Sequence, residues 1–245
     1  MIRFLSSGVH AVWELLFPRC CTACQRKLLD EEQLLCDDCV TLLPRSEHML
    51  LEQNGIDMLF QEQIHKDSRT VRYVHGAAFA YYNRARGQVL RQLIEQGKYG
   101  SRPLPHIFYH LGRLAAQENI DADLWDDVDY LVPVPLHPRR MRERGFNQSE
   151  WICRGLSEVL HIPIDTEHLV RVKNNAHQSR SQFHQRQENV KDIFAIQYPE
   201  EWKKKHILLV DDVITSGSTL YACMKHTTPI RGCRVSVFAL GWAHN

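Results

Sequence analysis

The chain has 245 residues, with 30 Lys+Arg against 29 Asp+Glu and a formal net charge of +1. Hydrophobic and charged fractions of 44% and 24% are those of a soluble globular protein, with room for one large domain and a small one. The near-neutral balance excludes a chain held to nucleic acid or membrane by bulk charge, so any such role must rest on local patches. No run approaches the roughly 18 apolar residues of a membrane span.

In chain order, residues 1–18 carry apolar side chains at Ile2, Leu5, Val9, Val12 and Leu16, a helical stripe suited to packing on the rest of the protein. The alternative is a partner-binding or membrane-surface helix, the latter disfavoured by the weak charge of its polar face. Ser6, Ser7, Gly8, His10 and Glu14 interrupt the apolar core that a signal peptide requires. Residues 19–45 are cysteine-rich and loop-like, and residues 46–75 read as a polar, partly helical connector. From residue 76 the pattern alternates between strand and helix. A strand is expected at 77–82, a short helix at 87–96, a helix from Pro103 or Pro105 to about 117, and a strand at 130–134. Asn147 caps a helix over 148–160, and strands follow near 169–172 and 193–196. Residues 206–210 form a near-continuous apolar run, as in a strand buried on both faces. A helix over 218–226 and a strand over 234–240 complete an α/β fold with a mostly parallel sheet flanked by helices.

Five of the eight cysteines lie between Cys20 and Cys39. Cys21 and Cys24 form one CxxC hook and Cys36 and Cys39 a second, and four thiolates so spaced suit a tetrahedral structural zinc. The segment is too small to build a core of its own, so a metal would supply its stability. Cys20 offers an alternative to Cys21. Clustered thiols of this kind point to a reducing, cytoplasmic compartment rather than to a disulfide scaffold.

The most informative run begins at Ile207 and ends at Thr219. Four apolar residues are followed by Asp211 and Asp212, then by Val213, Thr215, Ser216, Gly217, Ser218 and Thr219 leading into a helix. Ligands of open α/β sheets bind beyond the carboxyl ends of the strands. The start of a helix offers unpaired N–H groups to a phosphate, and Gly217 lets the backbone approach closely. The two carboxylates would repel phosphate, and suit instead a ribose diol or a magnesium ion. A second anion receptor is expected after the strand at 130–134, where Arg139, Arg140, Arg142 and Arg144 fall on a loop. Residues 169–191 are also basic, and 174–189 read as a long polar loop of the lid type.

The run from Ile207 to Thr219 resembles the phosphoribosyl pyrophosphate motif of type I phosphoribosyltransferases. Together with Lys98-Tyr99-Gly100, Pro133-Val134-Pro135, Arg144-Gly145-Phe146-Asn147-Gln148 and Gln178 through Asn189, the chain resembles the ComF family of competence-associated, phosphoribosyltransferase-like proteins. The resemblance implies a phosphoribosyltransferase-like domain over 76–245 behind a zinc ribbon. It implies that Asp211 and Asp212 hold the ribose hydroxyls and that residues 215–219 hold the 5-phosphate, with Val213 also among the residues binding the ligand, Arg139, Arg140 and Arg144 on the pyrophosphate and magnesium accompanying the ligand. It also implies a link to the uptake of transforming DNA, with single-stranded DNA and DNA-uptake proteins as partners. Three readings stay open: a phosphoribosyltransferase, a single-stranded DNA-binding competence factor, and a sensor of phosphoribosyl pyrophosphate without turnover. The sequence names no acceptor.

Overall fold

The apolar run at Ile207 lies at the centre of a sheet whose two faces carry separate cores. In a computed structural model the described residues are 18–67, 70–83, 88–99, 103–172 and 193–243. In chain order the main elements are α1 (Asp37–Thr41), α2 (Gly55–Asp67), β1 (Tyr73–Tyr81), α3 (Gln88–Tyr99), α4 (Pro105–Glu118), β2 (Tyr130–Pro133), α5 (Pro138–Arg144), α6 (Gln148–Leu160), β3 (Leu169–Arg171), β4 (Phe194–Ile196), β5 (His206–Ile214), α7 (Ser218–Met224) and β6 (Arg234–Trp242). Four strands form one sheet in the order β1-β6-β5-β2, every neighbouring pair parallel. β3 and β4 form a separate antiparallel pair.

Alternation along β5 divides its side chains between two layers. Leu208 and Val210 join Phe238 and Leu240 of β6 under Leu93 of α3, Leu111 of α4 and Ile152 of α6. Ile207 and Leu209 join Val235 and Val237 under Ile56 and Phe60 of α2, Leu220 and Met224 of α7, and Leu169 and Phe194 of the β3–β4 pair. No helix of the described residues is long and apolar enough to cross a membrane. The stripe at residues 2–16 and the polar loop at 174–189 lie outside the described residues.

Residues 46–75 are more than a connector. Asn54 accepts hydrogen bonds from the backbone N–H groups of Ile56 (2.8 Å) and Asp57 (3.2 Å), and Asp57 accepts in return from Asn54 N–H (3.1 Å). This reciprocal cap starts α2, which buries Ile56 and Phe60 against the sheet. The first strand begins at Tyr73, ahead of the expected boundary at residue 76. The cysteine-rich segment shares a core with α3 and α4 through Leu34, Leu35 and Leu43. Its exit is fixed by Arg45, which bonds Glu118 through Nε (2.8 Å) and lies over the Phe79 ring.

Candidate functional site

β2 pairs with β5 only as far as Pro133 opposite Val210, and Val134 N–H makes the last bond, to the Val210 carbonyl (2.9 Å). β5 runs on to Ile214, pairing there with β6 alone, Asp211 opposite Ala239 and Ile214 opposite Trp242. The expected strand end at Val210 is therefore too early: both acids and Val213 lie inside the ladder. Val213, expected in the ligand turn, pairs with Gly241 and packs its side chain on the core shared with α3. The acids sit at the carboxyl end of a central strand, where the β2 side of the sheet opens.

The two acids differ in their partners. Asp212 is buried and ion-paired with Lys98 Nζ, which reaches it from the last turn of α3. Asp211 accepts hydrogen bonds from Ser149 Oγ (3.2 Å) and from Asp212 N–H (2.9 Å). Burial, and then the neighbouring Asp212 charge, raise its carboxyl pKa to about 7. Three distant stretches of chain thus meet at the acids. Tyr99 follows Lys98, and its ring lies under the Arg144 guanidinium, 5.4 Å from the centroid. Arg144 in turn donates to the side chain of Gln148, next to Ser149.

The turn after β5 presents Thr215, Ser216, Ser218 and Thr219 to solvent, while Gly217 is buried. Gly217 adopts φ 69°, a left-handed conformation that favours glycine. A Cβ there would stand 3.1 Å from Leu59 and Phe60 of α2. Gln63 of α2 donates to the Ser216 carbonyl (2.7 Å), and Ser216 Oγ donates to Ser218 Oγ (3.0 Å). Among the described residues no side chain caps α7, which leaves its first amides to solvent or a ligand beside exposed hydroxyls.

The arginines expected on a loop lie instead on α5. Pro138 opens it, His137 Nδ1 accepts from Arg139 N–H (3.1 Å), and Arg139 pairs with Glu143 one turn on (2.8 Å). Proline at the first helical position and an i,i+4 pair both favour helix over loop. Arg139, Arg140 and Arg142 are exposed, whereas Arg144 is buried. Arg140 and Arg142 make no ion pair among the described residues. From β3, Arg171 lies over the Phe194 ring (5.2 Å); burial, with Arg140 nearby, depresses its pKa.

In the cysteine-rich segment the sulfur atoms of Cys21, Cys24, Cys36 and Cys39 all lie within 4.8 Å of one another. Cys20 is exposed and turns its thiol to the Pro18 carbonyl, so the structure favours Cys21 for the fourth place. Burial would raise the Cys21 thiol, but the amides of Cys24, Cys36 and Ala23 outweigh it and bring the thiol down to about 6. Four converging sulfurs, one held toward the thiolate, fit a tetrahedral zinc. Glu32, which sequence reasoning missed, organises the knuckle. Its buried carboxylate accepts from the amides of Leu29 (2.6 Å) and Asp37 (2.9 Å) and from Arg26 (3.2 Å).

No family model matches the chain. It is 37% identical over 134 residues to the DNA utilization protein YhgH of Escherichia coli K12, a match covering 54% of this chain and 57% of that protein. The match thus spans little more than half the length of that relative. Competence protein F of Haemophilus influenzae is 37% identical over 91 residues, covering 37% of this chain and 40% of its own. Among solved structures, the glutamine phosphoribosylpyrophosphate amidotransferase of Bacillus subtilis, complexed with ADP and GMP, aligns with a TM-score of 0.41 at 19% identity, over 58% of this chain and 30% of its own.

Proposed function

We propose that this chain, a phosphoribosyltransferase-like protein similar to the ComF competence proteins, binds phosphoribosyl pyrophosphate with magnesium at the carboxyl end of β5. The observation that carries this reading is the open start of α7, with exposed hydroxyls at Thr215, Ser218 and Thr219, directly after two acids at the open edge of the sheet. The amides and hydroxyls from Thr215 to Thr219 take the 5-phosphate. Asp211 and Asp212 take the ribose diol, or the magnesium that accompanies the ligand. Lys98 neutralises Asp212 before the ligand arrives. Arg139 and Arg140 are exposed for the pyrophosphate; Arg144, held by Tyr99 and Gln148, fixes the α5–α6 corner that brings Ser149 to Asp211. If transfer follows, the same groups orient C1 of the sugar for attack and neutralise the departing pyrophosphate.

Zinc would hold the amino-terminal knuckle together through Cys21, Cys24, Cys36 and Cys39, as a structural ion without an open position. A thiolate site of this kind belongs in a reducing compartment, so the reading is of a cytoplasmic protein. Calorimetric titration with phosphoribosyl pyrophosphate and magnesium tests the proposal. Wild type is expected to bind, and Asp211→Asn/Asp212→Asn to bind at least tenfold more weakly; wild type without binding heat refutes it. Pyrophosphate release that requires a nucleobase acceptor would separate a transferase from a sensor.

A second reading has its own observation. Among the described residues Arg140 and Arg142 stand exposed on α5 and make no ion pair, a receptor for the backbone of single-stranded DNA. Anisotropy of a labelled oligonucleotide should then fall steeply with salt, and Arg140→Ala/Arg142→Ala should flatten that dependence. Salt-independent binding would dismiss this role.

A further inference from the structure

The opposite end of the sheet carries a surface that the phosphate site does not use. A groove of about 700 Å³ lies between the segment Met49 to Glu52, the start of β1 at Val74 and His75, and the turn after α4 from Glu118 to Asp123. Its volume is that of a ligand-binding cleft. Four exposed aliphatic side chains line it: Leu50 (79% exposed), Leu51 (45%), Val74 (48%) and Ile120 (48%). Exposed aliphatic side chains gathered in one groove mark an interaction site.

Carboxylates outnumber cations in this groove. Glu118 is engaged by Arg45 and His75 by Asp57. Glu52, Asp121 and Asp123 also line the groove; none makes an ion pair among the described residues, although the Asp123 charge helps to raise the His75 pKa. The sequence from Glu118 to Asp129 holds six acids and no Lys or Arg. Parallel strands place this face at the amino ends of β1 and β6, away from the acids at the carboxyl end of β5. An occupant here would leave the phosphate site open.

We infer that this groove docks a cationic amphipathic helix of a partner protein, its apolar stripe on Leu50, Leu51, Val74 and Ile120 and its basic residues against Glu52, Asp121 and Asp123. Helix-in-groove recognition reads apolar anchors at i, i+3, i+4 and i+7, and the three exposed carboxylates select a basic flank. A basic, apolar segment satisfies both features; an acidic one is repelled, and a polar one leaves the aliphatic floor in water.

The test uses a fluorescein-labelled amphipathic peptide of leucine and lysine, about four helical turns long, and a matched peptide with glutamate in place of lysine. The full chain is expected to bind the lysine peptide and not the glutamate one. Asp121→Asn/Asp123→Asn should weaken binding at least tenfold, and Leu50→Ser/Ile120→Ser should do the same, with circular dichroism reporting that each variant folds. Neutralising Glu167 and Glu200, on the side of the β3–β4 pair, should change nothing. Equal binding of both peptides, or binding indifferent to the Asn pair, overturns the inference. So does competition by a synthetic peptide of residues 1–16, which would assign the groove to this chain's own terminus. Self-association abolished by the Asn pair would assign it to a second copy and likewise overturn it.

Discussion

Lys98 and Asp212 meet in a setting where neither is well solvated: their side chains keep 15% and 8% of their exposure. Removing one partner of a buried pair strands the other charge, and that loss exceeds the worth of the pair itself. Lys98→Met is therefore expected to cost about 3 kcal/mol. That would lower the melting temperature by roughly 6–12 °C for a chain of this size. Lys98→Met/Asp212→Asn should recover most of the loss; a scan in which the double variant is as unstable as the single would show that the pairing is not what matters. His75 and Asp57 make a second pair, 3.0 Å apart. The Asp57 hydrogen bond raises the His75 pKa. Burial would raise Asp57, but hydrogen bonds from His75 and Tyr73 outweigh it and lower the carboxyl. A raised histidine stabilises fully below its unfolded pKa and loses that contribution as pH rises through its folded one. A lowered carboxylate stabilises above its unfolded pKa and loses that contribution as pH falls through its folded one. The stability of wild type over His75→Gln should then be greatest between about pH 4 and pH 6.5 and shrink on either side, as urea unfolding across pH would show. A difference that grows above pH 8 would contradict the pairing. The acids at 211 and 212 were legible because their chemistry follows a buried strand directly. The sequence marks Lys98 only as part of a family-like block; its pairing with Asp212, and the roles of Ser149 and Gln63, were not legible, because they come from partners far away in the chain and local pattern carries no trace of such pairs.

α4 and α6 approach so closely that a Cβ on Gly155 would be driven into the Tyr109 carbonyl oxygen. In an exposed helix, Gly→Ala gains up to about 1 kcal/mol; here Gly155→Ala must push two backbones apart, and is expected to cost about 2–3 kcal/mol. The sign of the measured change decides between the two. The cysteine knuckle allows a parallel test at the same scale. Mercurial titration of the purified chain should release about one zinc, retained in Cys20→Ser and lost in Cys24→Ser; equal loss in both would put Cys20 among the ligands. Most elements were readable from periodicity, and α6 runs from Gln148 to Leu160 as its Asn147 cap predicts. The misreadings have physical causes. α5 looked like a loop because its arginines hid a proline start and a salt-bridged turn. β5 was cut short because carboxylates are poor strand residues by propensity, yet Lys98 and Ser149 hold them in the ladder. The cap of α2, Asn54 with Asp57, was overlooked although its spacing is that of a capping box.

Across the whole molecule a net charge of +1 conceals polarity among the described residues: exposed arginines of α5 at the carboxyl end of the sheet, exposed carboxylates around the groove at the amino end. Composition alone excludes bulk attraction to nucleic acid, and it says nothing of this division, which arises only when the parallel sheet sorts strand ends. The proposed site divides its labour at one of those ends. The turn at Gly217 is assigned a phosphate, the acids of β5 a sugar, and the arginines of α5 a pyrophosphate. Titrating ribose 5-phosphate and pyrophosphate separately, each with magnesium, into wild type, Gly217→Val and Arg139→Ala/Arg140→Ala tests that division directly. The account predicts that Gly217→Val abolishes ribose 5-phosphate binding and spares pyrophosphate, while the arginine variant does the reverse. Ribose 5-phosphate binding that survives Gly217→Val unchanged would contradict it.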